Sequence, residues 1–146
     1  MFRKGGHLYV YFTYGMHYCS NVVTGRENVG LAVLLRSVEP VLGISAMIRN
    51  RGIPAGSGDP GLEVLTNLCS GPAKLCQSFG VTGTENGTDL CGSEIWIAED
   101  RRSRDPFPIV RTGRIGISVA QDRPWRFVIA GNAFVSRGRP AGQPNH

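Results

Sequence analysis

Tyr14 stands beside Gly15 in the middle of an aromatic stretch, Leu8-Tyr9-Val10-Tyr11-Phe12-Thr13-Tyr14-Gly15-Met16-His17-Tyr18-Cys19-Ser20-Asn21-Val22-Val23. A Tyr-Gly pair between two β-rich runs reads as the tip of a hairpin. A flat ring on a rigid tip suits wedging between stacked bases; the more ordinary outcome is that Tyr14 folds back onto the sheet. Tyr9, Tyr11 and Tyr18 suit base stacking or sheet core. Asn21 interrupts an apolar strand, and a buried amide needs hydrogen-bond partners, from backbone or from the polar edge of a ligand. Arg36 closes the apolar run Leu31-Ala32-Val33-Leu34-Leu35, where a guanidinium needs a carboxylate, a carbonyl or a phosphate. His17 beside the tip suits a phosphate, a base or plain solvent. Ser70-Gly71-Pro72-Ala73-Lys74 lacks phosphate-loop spacing and offers a helix start. No HExxH or GxSxG motif occurs, and no Ser-His-Asp set is suggested.

These residues require elements that hold them. Leu8, Val10 and Phe12 fall on one strand face and Tyr9, Tyr11 and Thr13 on the other. Leu31 to Leu35 reads as a buried strand. Pro40 opens a helix with Val41, Ile44 and Ile48 on one face, stopped by Gly52 and Pro54. A second helix starts at Asp59-Pro60 and carries Leu62, Leu65 and Leu68. A third runs from Pro72 to Phe79, ends at Gly80, and turns Leu75 and Phe79 inward; Cys69 sits at the junction between the two. Further strands are expected at Glu94 to Ala98, Arg114 to Val119 and Trp125 to Ala130, with a surface loop from Glu99 to Pro108. Strands at both ends with helices between them predict a single α+β domain, residues 1–136. Its sheet is mostly antiparallel, an open barrel with a protruding hairpin. Residues 137–146 form a flexible tail.

The 146 residues carry a net charge of +5, with 41% hydrophobic and 18% charged residues. That is globular composition, and no apolar run reaches membrane-spanning length. The start has no secretory pattern, so a cytoplasmic protein is expected. The basic excess favours polyanions. Cys19, Cys69, Cys76 and Cys91 contain no CxxC pair, and His7, His17 and His146 do not cluster with them, so reduced thiols are expected rather than zinc ligands.

Taken in order, several segments resemble the alkyladenine (3-methyladenine) DNA glycosylase family. They are Leu8-Tyr9-Val10-Tyr11, Tyr14-Gly15-Met16-His17-Tyr18-Cys19 with Asn21, and Val33-Leu34-Leu35-Arg36-Ser37-Val38-Glu39-Pro40. Leu68-Cys69-Ser70-Gly71-Pro72-Ala73-Lys74-Leu75-Cys76 follows, then Arg114-Ile115-Gly116, Pro124-Trp125-Arg126-Phe127 and Val135-Ser136. The resemblance implies a monofunctional enzyme, without metal or cofactor, that binds the minor groove of double-stranded DNA. It would flip a damaged purine and hydrolyse its N-glycosidic bond. By the same resemblance Tyr14 is the intercalating wedge, Tyr11 the stacking residue of the base pocket and Asn21 the residue that discourages guanine. Arg36 and the carbonyl of Ile115 would position water. Met16, His17, Lys74 and Arg126 are candidate DNA contacts, and a monomer is expected.

In the family the general base is a glutamate in a Glu-Ala-Tyr segment several dozen residues ahead of the hairpin, followed by a pocket histidine. Met1-Phe2 falls just before the hairpin, and none of Glu27, Glu39, Glu63, Glu85, Glu94 and Glu99 sits at that position. The expectation is that this chain alone excises bases poorly while DNA contact survives, whether through a gene start placed too late or as a remnant. A non-catalytic minor-groove DNA-binding module is the alternative; a basic β-rich domain without a nucleic-acid role is the third reading.

Overall fold

A computed structural model describes residues 1–54, 58–99, 107–120 and 122–136. Strands β1 (Leu8–Thr13), β2 (His17–Val23) and β3 (Ala32–Leu34) form an antiparallel sheet in that order. Helices α1 (Ile44–Asn50), α2 (Leu62–Leu68) and α3 (Pro72–Phe79) follow, with a 3-10 turn at Gly83–Glu85. Strands β4 (Ile109–Thr112) and β5 (Arg126–Ile129) make a separate antiparallel pair. This is the expected α+β class, without a closed barrel. The tail at 137–146 lies outside the described residues, as does most of the loop expected at Glu99 to Pro108.

The hairpin forms as its sequence dictates. Thr13 pairs with His17, and Tyr14 and Gly15 turn the chain with φ of 52° and 66°. Leu8 and Val10 lie on the inner face and pack with Cys76, Val81 and Leu90. Residues 86–90 cover the outer edge of β1: Leu8 N–H donates to the Thr88 carbonyl at 2.8 Å, and Val10 N–H to Asn86 Oδ1 at 3.0 Å. Met47, Leu68 and Cys69 form a second core cluster among the helices.

α3 begins at Pro72 and ends at Gly80, whose φ of 67° is the left-handed cap that glycine adopts without penalty. Its buried side is Leu75, Cys76 and Ser78, and the Ser78 hydroxyl donates to the Leu68 carbonyl at 2.7 Å. Phe79 is exposed, contrary to the inward reading, because it falls at the helix end beyond the sheet.

Four other expectations fail. α1 starts at Ile44 rather than Pro40, because Gly43 takes a left-handed turn that leaves Val41 and Leu42 in solvent. Glu94 to Ala98 forms no strand; its short apolar run meets no partner strand among the described residues. Arg114 to Val119 is also irregular, broken by Gly116 at φ 71°, and the strand that pairs with β5 is Ile109–Thr112. Finally, β3 is an edge strand with Val33 56% exposed, so its apolar run does not mark a buried strand.

Candidate nucleic-acid interface

Strand alternation decides which side chains of the first sheet share a face. Tyr9 pairs with Asn21 and Tyr11 with Cys19, while Asn21 also pairs with Leu34. Tyr9, Tyr11, Cys19, Asn21 and Leu34 therefore share the face opposite the core. Tyr9 and Tyr11 stack with ring centroids 5.6 Å apart. Asn21 is buried, and its Nδ2 donates to the Tyr9 carbonyl at 3.2 Å. Its backbone partner thus satisfies one side of the amide.

This face opens into a cleft of about 1040 Å³. Tyr11, Cys19, Asn21 and Arg36 line one side, with Tyr14 at the hairpin end. Ile115 and β5 line the other. Tyr14 is 81% exposed, so it does not fold back onto the sheet. A bulky residue in a left-handed turn is strained by about 1–2 kcal/mol. The tip thus holds an aromatic ring in water in a backbone state that suits it poorly.

Arg36 is half-buried, and its Nε has no hydrogen-bond partner among the described residues. Burial pulls its pKa down, the nearby Arg126 guanidinium adds to this, and Cys19 and Tyr11 oppose it. No carboxylate is among these neighbours. Burial also raises the pKa of both Tyr11 and Cys19, which touch each other, so both stay protonated and neutral at physiological pH. The floor of the cleft is therefore neutral and aromatic, beside an arginine short of an acceptor. Such a floor suits a flat, uncharged or electron-poor ring, and the arginine suits an anion or a polar water.

Met16, His17 and Lys74 lie apart from this cleft. Met16 and His17 are exposed and line a second groove against α3. Lys74 Nζ donates to Asn67 Oδ1, and partial burial and Arg51 lower its pKa. Arg126 lines the cleft beside Arg36. It is 9% exposed, donating to Thr112 Oγ1 at 3.0 Å and to the Ser136 carbonyl at 2.8 Å. Strand alternation placed it inward, and its hydrogen bonds tie β4 and β5 to the segment that meets Ser37. Two features of the cleft were not singled out from sequence. Cys19 lies under Tyr11, and Trp125 lies against Arg114 and Arg123, at 5.5 and 5.1 Å from its ring centroid. Cross-strand register would have found Cys19; the arginine contacts depend on an irregular loop.

Residues 1–133 match the methylpurine-DNA glycosylase family. The chain belongs to this family. Similar proteins named "Putative 3-methyladenine DNA glycosylase" occur in Alkaliphilus oremlandii at 45% identity and Francisella tularensis subsp. tularensis at 44%, each over 94% of this chain. One from Burkholderia orbicola is 42% identical over 96%. The chain spans 68%, 67% and 64% of those relatives' own lengths. Within the methylpurine-DNA glycosylase family the expected activity is DNA repair by base removal. No helix among the described residues is long and apolar enough to cross a membrane.

Proposed function

We propose that this chain recognises duplex DNA carrying a damaged purine. Tyr14 enters the minor groove and fills the gap left by the extruded nucleotide. Tyr11 stacks on the base, Asn21 discriminates at its polar edge, and Arg36 with the Ile115 carbonyl holds the water that attacks the sugar. The observation that carries this reading is the convergence of Tyr11, Asn21, Arg36 and Ile115 on one cleft, with an exposed, strained Tyr14 at its rim. Unpairing and unstacking a damaged base costs less than for an intact one, which contributes to selectivity.

Hydrolysis also needs a group that takes a proton from the water and faces the positive charge developing on the sugar. Among the described residues, none of the charged neighbours of Arg36 is a carboxylate. Glu39, the acidic residue on the cleft wall among the described residues, is exposed to solvent. The 146 residues are therefore proposed to bind lesions and to excise them slowly. A missing general base typically costs a factor of about 10²–10⁴. Single-turnover release of hypoxanthine from a duplex tests this. Release from the chain alone should be slow, against tight binding of the same duplex. Fast release by the chain alone would overturn the proposed deficit and point to Glu39.

A further inference from the structure

Asn86 is the one asparagine of the chain that is followed by glycine. In this dipeptide the backbone attacks its own side chain most readily, because no Cβ shields the attacking nitrogen. The Gly87 nitrogen gives its proton to hydroxide and bonds to Cγ of Asn86. The Cγ–Nδ2 bond breaks, ammonia leaves with a proton taken from water, and a succinimide ring remains. Water then opens the ring at either carbonyl. One opening leaves an ordinary aspartyl residue. The other leaves an isoaspartyl link, in which the main chain runs through Cβ and Cγ and the carboxylate sits on Cα. The net change is one water consumed and one ammonia released, with no oxidation or reduction.

The fold both requires this pair and guards it. Gly87 has φ 94°, a backbone state that favours glycine, so a side chain that would slow the attack is strained there. Asn86 is exposed, so water reaches it. Both reacting groups are nevertheless held. Gly87 N–H donates to the Leu8 carbonyl at 2.8 Å, and Asn86 Oδ1 accepts from Val10 N–H at 3.0 Å. Asn86 also has ψ 118°, whereas ring closure needs a negative ψ. These bonds belong to the pairing of residues 86–90 with the outer edge of β1. Leu8 N–H to the Thr88 carbonyl and Leu90 N–H to the Gly6 carbonyl, each at 2.8 Å, complete it. While this edge is closed, the Gly87 nitrogen stays with Leu8 and away from Cγ.

We propose that Asn86–Gly87 is a self-modification site that deamidates only when the outer edge of β1 opens, and that its isoaspartyl product prevents the edge from closing again. An aspartyl product keeps a carboxylate oxygen where Asn86 Oδ1 stood, so Val10 N–H still has its acceptor. The isoaspartyl link adds a main-chain carbon and shortens the side chain. It carries the Gly87 N–H off the Leu8 carbonyl and leaves the N–H of buried Val10 without a partner. Tyr9 and Tyr11 ride on the same strand, so an edge that stays open loosens the floor of the cleft. The inference uses strand-edge chemistry and needs no DNA, so its failure would leave lesion recognition standing.

The test ages the 146-residue chain in mildly alkaline buffer, in graded urea below its unfolding transition, and in urea that unfolds it. Peptide mapping by mass spectrometry counts aspartyl and isoaspartyl products at position 86, and amide hydrogen exchange is followed in parallel. The unfolded chain should deamidate about 10-fold or more faster than the folded one. Below the transition the rate should rise in step with exchange at the Gly87 N–H. The isoaspartyl protein, separated by chromatography, should exchange fast at Val10 and Gly87, whereas Asn86→Asp should keep Val10 protected. If that variant does not fold, the aspartyl fraction of the aged chain takes its place. Equal deamidation rates in the folded and unfolded chains overturn the proposal, as does a folded-state rate indifferent to Gly87 exchange. An isoaspartyl protein whose Val10 and Gly87 amides stay protected also overturns it.

Discussion

Tyr14 separates function from stability more sharply than any other residue. Its φ of 52° is costly for a bulky side chain, and its ring is exposed. Tyr14→Gly relieves that strain while deleting the wedge. Thermal stability should hold or rise slightly, and affinity for a hypoxanthine-containing duplex should fall by about 1–3 kcal/mol, the scale of one stacking side chain. Calorimetric melts and fluorescence anisotropy read the two effects; a loss of stability with unchanged affinity would place Tyr14 in the fold instead. Arg36 makes a parallel case, because a half-buried guanidinium whose Nε finds no acceptor among the described residues does not help the free protein. Arg36→Leu should leave the free chain as stable or more so and should weaken lesion binding. Marked destabilisation by this change would show that Arg36 serves the fold. Asn21→Ala removes the bond to the Tyr9 carbonyl, at about 1 kcal/mol, and on its proposed role at the base's polar edge should raise binding of a guanine-bearing site relative to a hypoxanthine-bearing one.

The elements owe their stability to two small clusters. Leu68 is fully buried at the end of α2, against Met47 and Cys69. Leu68→Ala should cost about 2–5 kcal/mol, read as a lowered denaturant midpoint; a change below 1 kcal/mol would mean that the helices collapse onto the gap. The hairpin and α3 were legible in the sequence because their signals are local: alternation, a Tyr-Gly tip, Pro72 at one end and Gly80 at the other. Tyr11 and Asn21 could be placed on one face from the hairpin register alone. The exposure of Val33 and the burial of Arg126 escape the sequence for a different reason. Whether an apolar run is central or at an edge, and whether an arginine points inward, depends on strands far away in sequence. The pairing of β4 with β5 was invisible for the same cause, since Ile109–Thr112 follows a charged, proline-bearing stretch and carries no alternation of its own. The family resemblance supplied roles for Asn21 and Arg36 that residue spacing left open.

The whole molecule is basic, with one ion pair among the described residues, Arg123 with Asp122 in adjacent, exposed positions. Non-specific DNA affinity should fall linearly on log–log axes against salt, and a flat plot would argue against phosphate contacts. The response to alkali follows from the buried thiols. Burial raises the pKa of Cys19, Cys69 and Cys76 above the ordinary range, so the unfolded chain gives up these protons first. Their contribution is full below the ordinary thiol pKa of about 8.5 and is lost as pH rises through the higher folded values. Melting temperature should therefore decline above about pH 8.5, and a rise there would contradict the burial. The most direct test of lesion recognition compares binding of this chain to a hypoxanthine-containing duplex and to the same duplex undamaged, with Tyr14→Gly alongside. The account predicts tighter binding to the damaged duplex and loss of that preference in the variant. Equal affinity for both duplexes, or a preference untouched by Tyr14→Gly, would contradict it.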